Sequence, residues 1–240
     1  MAIFGAKRDL SPRRVLEIDV AQMAALAERQ LSDAIASFER RDPSLAKIVM
    51  AADLRIDAAH QHIEEHAVRI LEEKRLTGVK LREVFIAVKV AGELERIGDL
   101  AKNTAKRLLV VSQEPPIDSV ASGIVRMGRQ CLVQFSDVLD AYSNRDVRAA
   151  QAVWGADDNI DELYNSLFEE ILTAMMRDPK HVNGCTHLVF IAKNFERVGD
   201  HATNIAEALH FLVTGDQVAG ARPKGDETAT TAVPLPNEVV

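Results

Sequence analysis

The sequence predicts an all-α protein: six long helices forming two similar three-helix bundles related by a pseudo-twofold. Three observations predict it. Ala, Leu, Glu, Arg, Lys and Gln dominate while aromatic residues supply only 5%, the composition of long helices. Prolines and glycines fall between the periodic stretches and divide the chain into six. A polar string also recurs: Glu95-Arg96-Ile97-Gly98-Asp99, followed by Ala101, Asn103 and Ala105, returns as Glu196-Arg197-Val198-Gly199-Asp200 with Ala202, Asn204 and Ala206, an offset of 101 residues. A core is satisfied by hydrophobes of about the right volume, so a repeat that keeps polar residues while apolar ones drift marks a duplicated unit and not only a packing pattern.

The elements follow in order. Ser11-Pro12 is an N-cap with proline in the first helical position, opening a helix through about Arg40. Asp42-Pro43 repeats the signal and opens a second through about Leu76, ended by Thr77-Gly78. A third spans roughly 79 to 112 and closes at Pro115-Pro116, and the second half mirrors the first over about 117 to 144, 146 to 177 and 181 to 214. The duplication has independent support, because Ser32-Asp33 through Asp57 aligns without a gap on Ser136-Asp137 through Asp161. Arg41-Asp42 falls there on Arg145-Asp146, an offset of 104. The two offsets differ by 3, a length change that loops absorb around Thr77-Gly78 and around Pro179 to Gly184. The domain expectation is therefore an arm over 1–11, one repeat over 12–112, a second over 117–214, and a tail over 215–240. The tail is rich in Gly, Pro, Thr and acidic residues without apolar periodicity, which predicts disorder.

Each helix is about 30 residues, roughly 45 Å at 1.5 Å per residue, and short connections force neighbours antiparallel. A chain of 240 residues with 47% hydrophobic content can bury a sizeable core. A net charge of −7, with no Lys/Arg run of five or more, argues against a nucleic-acid partner. The longest apolar runs, such as Val84 to Val88 and Leu188 to Ala192, fall far short of the roughly 18 residues of a membrane span. The start has no apolar stretch of signal-peptide length, so a cytoplasmic protein is expected, meeting a membrane only through partners. Cys131 and Cys185 belong to no paired spacing and read as small buried hydrophobes.

The chemistry lies in carboxylates. Glu95 and Asp99, Glu196 and Asp200, Asp53 and Asp57, and Asp157 and Asp161 are each spaced by four, with Asn103 and Asn204 extending two of the stripes. Like charges at that spacing disfavour a helix by a few tenths of a kcal/mol, so four such pairs ask for compensation. One source is salt bridging by Arg55, Arg96, Lys102, Lys193 and Arg197. The other is a cation, since oxygen ligands at i and i+4 on facing helices can surround Mg²⁺, Mn²⁺, Fe or Zn²⁺, as in the di-metal centres of helical bundles. On that reading Asp53, Asp57, Glu95 and Asp99 form one site and Asp157, Asp161, Glu196 and Asp200 its twin. His60, three residues after Asp57, is a weaker ligand candidate, because the second half has Tyr164 there; His201 is about 100° away from Asp200 on the helix and faces elsewhere. Gly98 and Gly199 inside helices cost about 1 kcal/mol each relative to Ala and call for close helix approach. Nucleophile triads, phosphate-cradling loops and dinucleotide fingerprints are absent.

Two copies of three helices, each with the Glu-Arg-x-Gly-Asp string on the third and an Asp-x-x-x-Asp pair on the second, resemble the PhoU family of bacterial phosphate-uptake regulators, over about residues 12 to 214. The resemblance implies a non-enzymatic cytoplasmic adaptor. It would restrain the phosphate-specific ABC transporter through its ATPase subunit and keep the phosphate-sensing histidine kinase silent when phosphate is plentiful. It also implies iron, zinc, manganese or magnesium on the carboxylates, without fixing which, and a homodimer is expected. Aspartate stands at Asp53 and Asp157 where the family also uses glutamate, which shortens reach and bears on nuclearity. Two other readings stay open: a carboxylate-bridged di-metal enzyme, and a metal-free scaffold whose carboxylates are bridged by Arg and Lys.

Overall fold

A computed structural model describes residues 11–73, 75–220, 222, 224–226, 228 and 231. The expected N-terminal arm lies outside the described residues apart from Ser11, as does the tail from 232 onward. Among the described residues seven α-helices follow one another: α1 Pro12–Glu39, α2 Pro43–Glu73, α3 Val79–Val111, α4 Asp118–Asn144, α5 Val147–Gly155, α6 Asp158–Arg177 and α7 Val182–Thr214, with a 3₁₀ turn at Pro179–His181. No strand occurs among the described residues.

The caps expected from the sequence form. Ser11 accepts from the Arg14 amide, and Asp42 Oδ1 accepts from the amides of Ser44 at 2.8 Å and Leu45 at 3.1 Å. Asp146 does the same for α5, accepting from Arg148 at 2.9 Å and Ala149 at 3.1 Å. The residue before each aspartate leaves the helical region: Arg41 has φ 49° and Arg145 φ 54°. The amides of Asp42 and Asp146 reach back to Ser37 O and Ala141 O, each at 2.9 Å, so both turns are left-handed C-caps that run directly into an Asp N-cap. A left-handed non-glycine costs roughly 1 to 2 kcal/mol, and here the side chain supplies an offset. Arg41 Nη2 donates to Val111 O, Ser112 O and Glu114 O at 2.9, 3.2 and 2.7 Å, satisfying carbonyls at the end of α3. Arg145 pairs with Glu17 at 2.8 Å and Glu83 at 2.9 Å.

The fifth helix of the sequence reading, 146 to 177, is two helices broken at Ala156-Asp157, whereas its counterpart α2 runs through the equivalent Ala52-Asp53. Gly155 stands at the break where the first repeat has Ala51, and glycine is the poorer helix former by about 1 kcal/mol. The break puts Asp158 and Asp161 in the first turn of α6, where the helix dipole favours negative charge.

Helices α1, α2 and α3 pack on one another, α4 packs with α5, α6 and α7, and the halves join where α3 lies along α7 and α1 along α4. One continuous core results, with Met23, Ile56 and Leu94 from the first half and Met127, Phe135 and Phe195 from the second, all shielded from solvent. The pairs carrying the repeated string, α3 and α7, are thus the central helices. No helix among the described residues is long and apolar enough to cross a membrane.

Candidate functional site

The helical glycines set the spacing at which the acidic faces meet. A Cβ on Gly98 would lie 3.0 Å from both Gln30 Oε1 and Ile56 Cδ1, and one on Gly199 would lie 3.3 Å from Gln134 Oε1 and 3.5 Å from Ile160 Cγ2. Gln30 and Gln134, and Ile56 and Ile160, occupy equivalent positions in the two repeats, so each glycine lets the third helix close onto the first two in the same way. Close approach in turn brings Asp53 of α2 beside Asp99 of α3, and Asp157 beside Asp200 of α7.

In the first repeat the ammonium of Lys102 bridges these helices, donating to Asp53 Oδ2 and, at 2.6 Å, to Asp99 Oδ1. Asp53 is buried, and its other oxygen accepts from Gln30 Nε2 at 3.4 Å. Burial disfavours the Lys102 charge, yet the bonds and charges of the two aspartates outweigh it and raise its pKa. Asp57 is exposed and Glu95 half-buried, and neither makes an ion pair among the described residues. Glu95 is held above its ordinary carboxyl range by burial and by the charges of Asp99 and Asp57, against the opposing charge of His60. The outer part of this cluster is therefore acidic and undercompensated.

In the second repeat the position of Lys102 is taken by Thr203, whose hydroxyl donates to Asp157 Oδ1 at 2.8 Å but carries no charge. The charge arrives from elsewhere. Arg222, beyond the end of α7, places Nε 2.7 Å from Asp157 Oδ2 and Nη2 2.9 Å from Asp157 Oδ1, and the same Nη2 2.6 Å from Asp200 Oδ1. Its Nη1 donates to Asn204 Oδ1 at 3.3 Å. Lys224 lies 3.3 Å from Asp200, and the Gly225 amide donates to Asp161 Oδ2 at 2.8 Å. Lys193 joins Glu196 at 2.9 Å to Asp226 at 2.6 Å. Glu196 is pushed up by burial and by Asp200 and Asp161, with Lys193 opposing; Asp161 is pushed up by burial and by its acidic neighbours, with the Gly225 amide opposing. The tail that composition marks as disordered has no regular secondary structure over its described residues, but Arg222, Lys224, Gly225 and Asp226 contact α6 and α7.

The carboxylates of each repeat thus share one electrostatic neighbourhood, with a protein cation between the buried aspartate and its partner on the third helix. Their oxygens do not converge as three or more ligand atoms within 4.8 Å; among the described residues only Asp19, His62 and His66 do that. The donor set still suits the metals that the sequence reading names. It is oxygen-only, it spans two helices, and Glu95 and Asp57 make no ion pair among the described residues, which is the chemistry of hard and borderline cations. Asp53, Asp57, Glu95 and Asp99 would hold such an ion in the first repeat, and Asp157, Asp161, Glu196 and Asp200 in the second.

Among the other candidates, His60 Nε2 lies 3.6 Å from Glu64 on its own helix. His201 turns away from the acidic stripe, as its position on the helix requires: it is buried, and its Nδ1 sits 2.7 Å from Glu93 Oε2 on α3. Asn204 donates to the same oxygen at 3.1 Å, so residues of the repeated string also fasten one half to the other. Burial raises the Glu93 pKa, but the bonds from His201 and Asn204 and the charges of His201 and Arg96 bring it below the ordinary value. Cys131 is buried and donates to Phe195 O at 3.2 Å, and burial pushes its thiol pKa up, so it is an inert core residue. Sequence reasoning named Lys102 and Lys193 as available cations and missed Arg222, which follows the last periodic helix; the one signal was the change from Lys102 to Thr203 between repeats.

A profile of the PhoU domain matches the chain twice, over residues 20–108 and 124–209. Similar curated proteins include the phosphate-specific transport system accessory protein PhoU homologs of Caulobacter vibrioides, 45% identical over 211 residues that cover 88% of this chain and 92% of the relative, and of Rhizobium meliloti, 41% identical over 88% and 89%. The accessory protein PhoU of Escherichia coli is 32% identical over 83% of each chain. The crystal structure of PhoU from Pseudomonas aeruginosa superposes with a TM-score of 0.82 at 30% identity, covering 84% of this chain and 97% of that one. The phosphate transport system regulatory protein PhoU from Streptococcus pneumoniae superposes with 0.79 at 26% identity, covering 86% and 97%.

Proposed function

Because the chain belongs to the PhoU family and carries its domain twice, we propose that it is the cytoplasmic adaptor of a phosphate-specific ABC transporter, restraining uptake when phosphate is plentiful. The observation that carries this reading is the duplicated Glu-Arg-x-Gly-Asp string on the two central helices, within a fold shared over most of the length of relatives named for phosphate transport. The transporter's ATPase subunit and the phosphate-sensing histidine kinase are the partners, reached through the outer faces of long helices, and a second copy of the chain completes a homodimer. The protein acts by binding, in keeping with relatives named as accessory proteins of phosphate transport and with a sequence that carries no nucleophile triad, phosphate-cradling loop or dinucleotide fingerprint. A divalent or iron-type ion on the carboxylates would draw α2 to α3 and α6 to α7, stabilising the folded bundle by mass action.

Deletion of the coding region in phosphate-rich medium tests the reading: uptake and starvation-promoter output should rise and return on complementation, and the ATPase subunit and kinase should co-purify with the tagged protein. Normal uptake in the deletion strain, with neither partner recovered, would overturn it. Metal content separates the accompanying claims. Glu95→Ala with Asp99→Ala should remove about half of the metal in fully loaded protein. Lys102 and Arg222 specifically favour the metal-free alternative, in which protein cations compensate the buried aspartates, and wild-type protein that takes up no metal decides for it.

A further inference from the structure

The two acidic clusters are alike in carboxylates and unlike in their source of positive charge. In the first, Lys102 comes from α3 itself and touches Asp53 and Asp99. In the second, the equivalent Thr203 leaves Asp157 and Asp200 without an internal cation, and the guanidinium of Arg222 touches both. The guanidinium is largely shielded from solvent at 17% side-chain exposure against 3% for Asp157, and its fork engages both oxygens of one carboxylate, the geometry that suits Arg and not Lys. The contact is reinforced along the strap: the Gly225 amide binds Asp161, Asn165 Nδ2 donates to Gly225 O at 2.5 Å, and Asp226 meets Lys193.

We propose that Arg222, with Gly225 and Asp226 as further contacts, forms a resident intramolecular ligand of the second acidic cluster, doing for Asp157 and Asp200 what Lys102 does for Asp53 and Asp99. A tether of a few residues from Gly215 gives such a ligand an effective concentration on the order of millimolar. An external cation reaching the second cluster must therefore displace the strap, whereas none of the tail residues described lies on the first cluster. This last clause rests on the metal reading of the clusters; the docking itself does not.

Hydrogen exchange on the full-length protein tests it. In metal-free wild type, the Gly225 amide and its neighbours should exchange at least tenfold more slowly than an unstructured peptide, and Arg222→Ala should abolish that protection without altering exchange in α1 to α3. Thr203→Lys, which copies the first repeat, should also release the strap by supplying the competing charge from α7, provided its helical circular dichroism matches wild type. Arg222→Lys keeps the charge but loses the fork and should protect only in part. Unprotected tail amides in metal-free wild type, or protection unchanged in Arg222→Ala, would overturn the proposal. Mn²⁺ is then titrated: release of the strap supports competition, and a protected strap with no Mn²⁺ bound rejects the metal reading while leaving the docking intact.

A different observation carries a second inference. Asp19 of α1 and His62 and His66 of α2 bring one ligand atom each to within 4.8 Å of one another, with Asp19 Oδ2 2.9 Å from His66 Nδ1 and 3.6 Å from His62 Nε2. Two imidazoles one helical turn apart, with a carboxylate from a facing helix, make a three-ligand site with an open position of the kind that borderline divalent ions accept. Ligand atoms about 2.0 to 2.2 Å from a tetrahedral ion sit roughly 3.5 Å apart, so rotamer adjustments on the order of an ångström complete the set. We infer that Asp19, His62 and His66 form a site for Zn²⁺, Co²⁺ or Ni²⁺, distinct in place and in ligand type from the carboxylate clusters. Co²⁺ added to the full chain should give visible d–d absorption that saturates, is lost in His62→Ala with His66→Ala, and persists in Glu95→Ala with Asp99→Ala. No saturable absorption in wild type, or absorption unchanged in the histidine double variant, would overturn it.

Discussion

Single side chains decide how this fold holds charge in its interior. Asp53 is 3% exposed and its charge partner is Lys102. Removing one member of a buried pair leaves an uncompensated charge and costs about 3 kcal/mol, more than the pair contributes against a hydrophobic replacement. Lys102→Ala should therefore lower unfolding free energy by about that amount in urea melts of metal-free protein, and Lys102→Ala with Asp53→Asn should recover most of it. The turn arginines make a sharper comparison. Arg41→Ala loses three bonds to carbonyls at the end of α3 and keeps the left-handed strain, whereas Arg41→Gly loses the bonds and relieves the strain. Both should destabilise, Ala by about 2 to 3 kcal/mol and Gly by roughly 1 kcal/mol less. Equal losses would show that the backbone at Arg41 is not strained.

Helices differ in how much they tolerate a methyl group. Gly155 ends α5, and a Cβ there meets nothing within 4 Å, so Gly155→Ala should raise stability by about 0.5 kcal/mol through helix propensity and a less flexible unfolded chain. Gly98 lies where α3 closes on α1 and α2, and even a Cβ would stand 3.0 Å from Gln30 and Ile56. Gly98→Val should cost about 1 to 3 kcal/mol by forcing these helices apart, measured as a lower urea midpoint at unchanged slope. The break between α5 and α6 belongs to this scale too, because it converts Asp158 and Asp161 from mid-helix charges into first-turn charges.

Across the whole molecule, α3 and α7 join the two bundles, and one polar fastening between these helices is Glu93 with His201 and Asn204, beside Arg145 with Glu17 and Glu83. The Glu93 pKa in the folded protein is below its ordinary value of 4.5, so its stabilising contribution is fully present above about pH 4.5 and is lost as pH falls through the lower folded value. Glu93→Gln should therefore destabilise at pH 7 and progressively less in acid, converging with wild type once Glu93 is protonated in both folded and unfolded chains. A gap between the two melting curves that stays constant from pH 7 down to pH 3 would contradict this.

The duplication, the helical class and the carboxylate stripes are legible in the sequence because they rest on local rules: caps, helix propensity, and four-residue spacing that places side chains on one face. The sequence reading runs one helix through Gly155, because a single glycine costs only about 1 kcal/mol of helix propensity against the periodicity around it. Which cation compensates which carboxylate could not be read in this way. Lys102 lies three residues from Asp99 but 49 from Asp53, and Arg222 lies 65 from Asp157, so both pairings depend on packing that brings distant segments together. The Asp19, His62 and His66 group is hidden in the sequence for the same reason, since only the register of α1 against α2 sets a carboxylate beside the histidine pair. The sequence alone determines which residues carry charge and which helix face they share; tertiary structure decides what meets that face, because the burial that makes a charge consequential exists only once helices far apart in the chain have packed.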